Sequence, residues 1–105
     1  MRQFDVVRNT GRSRTEAPYW LIVQSTAYAA YDRRVVIPLV PAERLPLPQR
    51  AINPSFEIEG RRVFLHTLNI ASLPRQALGE VVASLADQGE TIITAIDWLL
   101  SRAFD

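Results

Sequence analysis

The sequence predicts a mainly β domain that ends in a single α-helix. Over the first three quarters of the chain, short runs of β-branched and aromatic residues alternate with clusters of turn-forming residues, which is typical of strands and hairpins. In the last quarter, apolar residues recur at the spacing of one helix face. The chain has 105 residues, a length that fits one domain, so we expect residues 1–105 to fold as a single unit.

Three strands are predicted before the first long irregular segment. Residues 4–8 and 19–23 are rich in β-branched and aromatic side chains, and the second run is apolar on both sides, so both of its faces should be covered. Residues 35–37 form the third strand. We expect this strand to end at Pro38, because proline has no backbone N–H to donate to a sheet. The segment at residues 26–32 is a predicted surface loop.

A β-hairpin is predicted after an irregular, proline-rich segment that covers residues 38–54. Residues 56–58 alternate between apolar and charged side chains, and Glu59-Gly60 supplies a turn. Residues 63–67 form the second arm of the hairpin. Residues 70–72 are predicted to form one further short strand.

The predicted helix carries one apolar stripe that should pack it against the sheet. It begins either at Ser84 or within residues 87–89. Glu90 near its start and Arg102 near its end match the charge of the helix dipole at those ends. The stripe consists of Leu85, Ile92, Ile93, Ile96, Leu99, Leu100 and Ala103.

Composition and charge argue against several classes of function. The formal net charge is +1, so no broad electrostatic attraction draws the chain to nucleic acid or to an acidic membrane. The chain has no cysteine, which excludes disulfides, thiolate catalysis and cysteine-based zinc sites. The N-terminus lacks the apolar segment of a signal peptide, and no apolar run reaches the roughly 18 residues of a membrane span. We therefore expect a cytoplasmic protein with no membrane partner.

Few side chains suggest catalysis. His66 is the single histidine, so the sequence completes neither a nucleophilic dyad nor a metal site, and we expect no catalytic residue, no metal and no cofactor. Glu57 and Glu59 share one strand face, and a solvated outer face explains them better than an acid–base pair does. The arginine pairs at residues 33–34 and 61–62 either line a basic groove or, as the favoured interpretation, are solvated and form local salt bridges.

Six short strings, taken in order and at their separations, carry a resemblance that spans nearly the whole chain. They are Gln3-Phe4-Asp5-Val6, Val23-Gln24-Ser25, Arg33-Arg34-Val35-Val36-Ile37-Pro38-Leu39, Ala71-Ser72-Leu73-Pro74, Leu78-Gly79-Glu80-Val81-Val82-Ala83 and Ala95-Ile96-Asp97. The set resembles the CcdB family, the toxins of toxin–antitoxin modules that poison DNA gyrase. The string at residues 33–39 is the most specific part of this resemblance.

The resemblance implies an SH3-like barrel of the CcdB/MazF type, with an antiparallel sheet, a small side sheet and a C-terminal helix. It also implies a homodimer whose helix ends enter the cleft of the DNA gyrase A subunit and trap the enzyme on cleaved DNA, without any catalysis by the toxin. A cognate antitoxin with a disordered C-terminal tail would neutralise the toxin. Operator DNA would be bound only through the antitoxin complex.

The resemblance places target contacts, by position, at the helix end and in one loop. Gyrase poisons of the family typically finish with Gly-Ile, often preceded by a Trp that stacks on an arginine of gyrase. This chain does not reproduce that motif, so Trp98 or Phe104 would have to supply an aromatic contact from another position. Ala27 and Tyr28 are expected on a loop that faces the target. The expected target-binding residues of the helix end are Asp97, Leu100, Ser101, Arg102, Ala103 and Phe104.

Alternative interpretations stay open at this point. Trp98 would otherwise pack beside the helix stripe, and the tyrosines of the loop would be ordinary loop-packing residues. A MazF-like endoribonuclease shares the barrel, and it would need Arg33, Arg61 and His66 as its catalytic parts. A non-toxic interaction module that has lost gyrase poisoning is the third possibility.

Overall fold

The computed structural model describes residues 1–101, which form seven antiparallel strands and one α-helix. The sheet curls into a half-barrel that is covered by the C-terminal helix, which confirms the predicted fold class. The predicted strands each overlap an observed one, and the helix begins at the later of the two predicted positions. The elements are β1 (Asp5–Asn9), β2 (Tyr19–Ile22), β3 (Arg33–Val40), β4 (Ser55–Ile58), β5 (Arg61–Leu65), β6 (Ala71–Pro74), β7 (Leu78–Ser84) and α1 (Gly89–Ser101).

The strand β3 is longer than predicted and is shared between two partners. The strand order is β4-β5-β3-β2-β1-β7, and β6 pairs with the first half of β3. Pro38 was expected to end β3, but the strand continues through it to Val40. The expectation was wrong because Pro38 lies where the partner along this edge changes from β6 to β5, so a missing N–H costs no ladder bond there. Its carbonyl still accepts a hydrogen bond of 2.9 Å from the His66 N–H.

The edge strand β7 was not predicted from residue pattern. It pairs with β1, but the register shifts between Val6 and Val7 and again between Val7 and Asn9. These irregularities break the alternation of inward and outward side chains on which strand prediction depends. The backbone approach is close at Gly79, where a Cβ atom would lie 2.6 Å from the carbonyl oxygen of Arg8.

The turn between β4 and β5 is a two-residue hairpin turn, as predicted. Glu59 has φ 51° and Gly60 has φ 77°, so both central residues lie in the left-handed region that a type I′ turn requires. Gly60 meets that requirement without steric cost. Glu59 adopts it as a non-glycine residue, and its side chain is held by partners on two other strands.

The main core lies between the concave face of the sheet and α1. Ile92 and Ala95 are fully buried there, and Ile96 packs against the same cluster. The predicted apolar stripe was too wide, because Ile93 and Leu100 are exposed. Leu85 is buried but precedes the helix, and Ala103 lies outside the described residues.

A second, smaller apolar cluster lies on the opposite face of the sheet. Val7, Ile22 and Val36 are buried in it, and Trp20 packs against them while partly exposed. Val81 is the partner of Val7 across the β1–β7 pair and is also exposed. The sheet is therefore apolar on both faces, although only one of them is covered by α1. Within residues 1–101, no helix is long and apolar enough to cross a membrane.

Candidate protein-binding site

The described part of the helix end presents an apolar side chain among polar ones. Leu100 is 67% exposed, and Asp97 is exposed beside it. The Ser101 hydroxyl lies within hydrogen-bond distance of both the backbone carbonyl and the carboxylate of Asp97. Leu100, Ser101 and Asp97 thus share the last described turns of α1. Arg102, Ala103 and Phe104, which were also expected to contact the target, lie outside the described residues.

Trp98 is exposed on a different side of the helix from Leu100. Its position along α1 places it on the flank of the buried stripe formed by Ile92 and Ala95, whereas Leu100 lies on the other flank. Nearly half of its surface is accessible to solvent, 44% of the reference value. Trp98 therefore offers an aromatic surface one turn before the end of the described chain.

The predicted loop is built around a single 3₁₀ turn at Thr26–Tyr28. The Ser25 hydroxyl caps this turn by accepting a hydrogen bond of 3.2 Å from the Ala27 N–H. Ala27 is exposed and Tyr28 is 58% exposed. Both residues therefore lie on the surface, as their expected role requires.

Tyr31, the second tyrosine of the predicted loop, extends its aromatic surface. It is 67% exposed, and its ring centroid lies 6.5 Å from that of Tyr28, with the rings tilted by 49°. This separation is within the range of interacting aromatic pairs. A largely apolar cavity of about 410 Å³ adjoins the pair and is also lined by Gln24, Asp32, Arg33 and Val35.

Arg34 is buried, which neither interpretation of the arginine pairs anticipated. Only 5% of it is exposed, so it is neither solvated nor a lining residue of an open groove. Its neighbour Arg33 is exposed and donates to the Ser72 hydroxyl from Nε at 2.8 Å. Strand alternation signalled that the two side chains point in opposite directions, but not which of them enters the interior.

The three residues nominated for ribonuclease activity are not brought together. His66 follows β5 and lies level with Pro38 of β3. Arg33 and Arg61 each lie five residues from that level, in opposite directions along the paired strands. At about 3.3 Å per residue, each is roughly 16 Å from His66 along its strand. A base and a cationic stabiliser at these positions cannot act on one phosphate.

His66 instead lines a cavity of about 440 Å³ on the sheet surface. Trp20 and Pro38 contribute apolar walls, and Glu16 and Arg44 lie on its polar side with 3.9 Å between their charged atoms. Nδ1 of His66 lies 3.1 Å from the Asn69 side-chain nitrogen, within hydrogen-bond distance.

A cluster of charged residues joins the hairpin turn to β1 and β2. Glu59 accepts a hydrogen bond of 2.6 Å from the Tyr19 hydroxyl and one of 3.0 Å from Nη2 of Arg8. Nε of Arg8 also donates to Glu80 at 3.1 Å. The bonds from Tyr19 and Arg8 lower the pKa of Glu59. Two causes raise the pKa of Tyr19: burial of the phenol, which is the larger, and the hydrogen bond to Glu59. This cluster links the β4–β5 turn to β1, β2 and β7 and lies outside the two predicted target-binding regions.

No group of three or more potential metal-ligating His, Cys, Asp or Glu side chains occurs within residues 1–101. The expectation that the chain needs no metal rests on the sequence, which has no cysteine and a single histidine. The described surface offers exposed aromatic side chains near the helix end and on a loop, and aromatic residues are enriched in protein–protein binding sites.

Comparison with known proteins gives the family. The family model for "CcdB protein" matches residues 3–101, which is nearly the whole chain. The chain belongs to the CcdB family. This confirms the resemblance carried by the six strings, and it identifies the protein as a toxin of a toxin–antitoxin system. No curated protein matches the chain.

Solved structures support the fold of this CcdB family member. An endoribonuclease in complex with its cognate antitoxin, from a mycobacterial species, is similar with a TM-score of 0.75 and 19% identity, over 95% of this chain and 94% of that one. An endoribonuclease from a mycobacterial species is similar with a TM-score of 0.66 and 20% identity, over 95% of this chain and 90% of that one. At these identities, the likeness concerns the fold alone.

Proposed function

We propose that this CcdB family toxin binds the A subunit of DNA gyrase through the C-terminal ends of α1 in a homodimer, and that it traps the complex of gyrase with cleaved DNA. The observation that carries the proposal is the exposure of Leu100 and Trp98 at the helix end of a chain that belongs to this family. The toxin itself catalyses no reaction in this proposal. Its effect comes from binding an essential enzyme in one state of its cycle.

The departure from the usual C-terminal motif bears on how the target is contacted. Ser101, Arg102 and Ala103 stand where typical gyrase poisons of the family have Trp, Gly and Ile. Serine cannot stack on an arginine, and a lost cation–π contact costs about 0.5 to 2 kcal/mol. Trp98 and Leu100 supply exposed apolar surface within the preceding turn. We therefore propose that these two side chains replace part of the missing contact in a cleft of altered shape.

A homodimer is part of the proposal, and the outer face of the sheet supports it. Trp20 and Val81 leave apolar surface on the side of the sheet that α1 does not cover. A small domain gains stability when a second copy covers such a face. Sedimentation of the purified protein should give the mass of a dimer, and Val81→Arg should shift the equilibrium toward monomer. A wild-type monomer at micromolar concentration would contradict the dimer.

The proposed partners also include a cognate antitoxin with a disordered C-terminal tail. The mycobacterial endoribonuclease of similar fold forms a complex with its own antitoxin, which supports an antitoxin as partner here. A disordered tail can wrap a large surface and so prevent binding to the target. Operator DNA would be bound only by the toxin–antitoxin complex, since the toxin alone has a net charge of +1.

The test is a binding titration against the gyrase A subunit of the same host. Wild type is compared with a chain truncated after Leu100, with Leu100→Ser, and with the control Leu47→Ser, which changes an 81% exposed leucine of the proline-rich segment. We expect truncation to abolish binding, Leu100→Ser to weaken it about tenfold or more, and the control to bind like wild type. A folded, dimeric wild-type protein that does not bind gyrase would overturn the proposal.

A further inference from the structure

The loop that carries Tyr28 and Tyr31 is held from inside by a buried guanidinium. Nη1 of Arg34 donates hydrogen bonds of 2.6 Å to the Tyr31 carbonyl and 2.9 Å to the Arg33 carbonyl. Nη2 donates one of 3.0 Å to the Ala29 carbonyl. A single side chain therefore binds two backbone carbonyls in the second half of the loop and a third at the first residue of β3.

This arrangement is unusual because the buried charge has no carboxylate partner. Arg34 is 5% exposed and forms no ion pair within residues 1–101. An arginine cannot lose its proton to reduce the cost of burial, so its charge is offset here by the dipoles of the three carbonyls. The loop backbone must keep those carbonyls pointed inward, which restricts the conformations that the loop can adopt.

A second side chain holds the first half of the same loop. Nε2 of Gln24 donates a hydrogen bond of 3.1 Å to the Tyr28 carbonyl, and its Oε1 accepts one of 3.0 Å from the Val35 N–H. Gln24 and Arg34 thus hold the carbonyls of Tyr28, Ala29 and Tyr31, which include the carbonyl of each exposed tyrosine. The two rings themselves point outward and lie 6.5 Å apart.

We infer that Arg34 is a positioning residue for target binding, which holds Tyr28 and Tyr31 as one rigid aromatic surface. A rigid surface loses little conformational entropy when a partner binds, so preorganisation raises affinity without any new contact. Arg34 itself makes no contact with the partner in this scheme. The inference rests on the proposed function, because the partner is taken to be the gyrase A subunit.

Two variants remove the hydrogen bonds of Arg34 to different extents. Arg34→Met keeps a long apolar stem but removes every donor, so all three carbonyls lose their partner. Arg34→Lys keeps the charge, but one ammonium group cannot span the positions of both terminal nitrogens. The matched control is Arg33→Met, which removes the same charge one residue earlier, where the guanidinium binds Ser72 and not the loop carbonyls.

The first measurement is hydrogen exchange of the loop amides, which needs no partner. The N–H groups of Ala29 and Tyr31 donate to carbonyls within the loop at 3.1 and 3.2 Å. We expect Arg34→Met to speed their exchange about tenfold or more and Arg34→Lys to have a smaller effect, while the strands exchange as in wild type. Arg33→Met should leave these two amides protected. Unchanged exchange of Ala29 and Tyr31 in both Arg34 variants would overturn the inference.

The second measurement is the affinity for gyrase together with the thermal midpoint, because a general loss of structure would lower both. We expect Arg34→Met to weaken gyrase binding about tenfold, with Arg34→Lys between it and wild type, and with the thermal midpoint of the rest of the domain retained. Gyrase binding that stays within twofold of wild type despite faster loop exchange would also overturn the inference. If Arg34→Met fails to fold, Arg34→Lys decides the matter by the same two readouts. A wild-type protein without affinity for gyrase would overturn the proposed function alone, since the exchange data test the positioning of the loop independently.

Discussion

The Tyr19 hydroxyl on β2 donates a hydrogen bond of 2.6 Å to Oε1 of Glu59 in the turn between β4 and β5. These two residues are 40 positions apart in the sequence. Arg8 of β1 binds the same carboxylate and reaches Glu80 of β7 as well. The hairpin at one end of the strand order is therefore tied to the strands at the other end, which keeps the sheet curled around its core.

Acid should weaken the fold through Glu59. Tyr19 and Arg8 stabilise the carboxylate, so the pKa of Glu59 is lower in the folded chain than its ordinary value of 4.5. The unfolded chain then binds more protons between the two pKa values, and stability falls as the pH falls through them. Glu59 should contribute fully above pH 4.5 and progressively less below it.

Urea unfolding of wild type and Glu59→Gln from pH 7 to pH 3 measures this contribution. The difference in the free energy of unfolding should be constant above pH 4.5 and shrink below it. The control is Glu57→Gln, which removes an exposed carboxylate of the same hairpin at 3.9 Å from Arg62 and should change little. A difference that does not shrink in acid would contradict the role assigned to Glu59.

Alkali should weaken the fold through Tyr19, which donates the hydrogen bond to Glu59. The pKa of Tyr19 is raised above its ordinary value of 10.0 by burial and by the hydrogen bond to Glu59. Above that pH the unfolded chain loses the proton while the folded chain retains it, so stability falls as the pH rises. Tyr19→Phe should remove this alkaline dependence, whereas Tyr28→Phe, at an exposed ring, should keep it. Thermal melts from pH 8 to pH 11 decide between these outcomes.

The sequence predicted the mainly β fold and the helix because their patterns are local. Alternation in residues 56–58 and the Glu59-Gly60 turn specify a hairpin whatever surrounds them. The length of β3 depended instead on which strands lie beside Pro38, and β7 lost its alternation to register shifts against β1. Both features are set by strand pairing between distant segments, which residue spacing does not contain.

The candidate site divides in the same way. Position along the family motif placed Leu100 and Tyr28 on the surface, where the structure has them. The burial of Arg34 was missed, because an arginine in a charged dipeptide is ordinarily solvated. The signal that was available is the strand alternation at residues 33–34, which requires one of the two arginines to face inward.

Helix packing should depend on Ile92 and not on its neighbour. Ile92 is fully buried between α1 and the sheet, whereas Ile93 is 46% exposed. Ile92→Ala removes buried methylene groups and leaves a cavity, so it should lower the free energy of unfolding by about 2 to 5 kcal/mol. Ile93→Ala should change the free energy of unfolding by less than about 1 kcal/mol, because alanine is the better helix former and little buried apolar area is lost. Similar losses for both variants in denaturant unfolding would contradict the helix register.

The edge strand should be sensitive at Gly79. A Cβ there would lie 2.6 Å from the backbone oxygen of Arg8, which cannot move without disturbing the β1–β7 pair. Gly79→Ala should therefore destabilise the chain by more than the roughly 0.4 to 1 kcal/mol that Gly→Ala can contribute at a permissive site. Gly11→Ala is the control, since its Cβ would meet only the Asn9 side chain at an ordinary 3.4 Å. If chemical denaturation shows Gly11→Ala to be the more destabilising of the two variants, the close approach of β7 to β1 at Gly79 is contradicted.

Toxicity should not depend on His66. Arg33 and Arg61 lie in opposite directions from it along the paired strands, so the three residues do not form the acid–base and cationic set that RNA cleavage requires. His66→Ala should therefore arrest the growth of expressing cells as wild type does, and purified wild type should leave RNA intact. Leu100→Ser should reduce the growth arrest, because it changes the helix end and not the sheet surface.

The opposite pattern would have a definite meaning for the site. Cleavage of RNA by wild type that is lost in His66→Ala would assign a catalytic role to the cavity that His66 lines together with Glu16 and Arg44. The imidazole of His66 and the side chain of Arg44 both line that cavity, whereas Arg33 and Arg61 do not. A toxin that retained growth arrest in Leu100→Ser but lost it in His66→Ala would thus act as an endoribonuclease through His66 but without Arg33 and Arg61, and gyrase binding would be excluded as its mode of action.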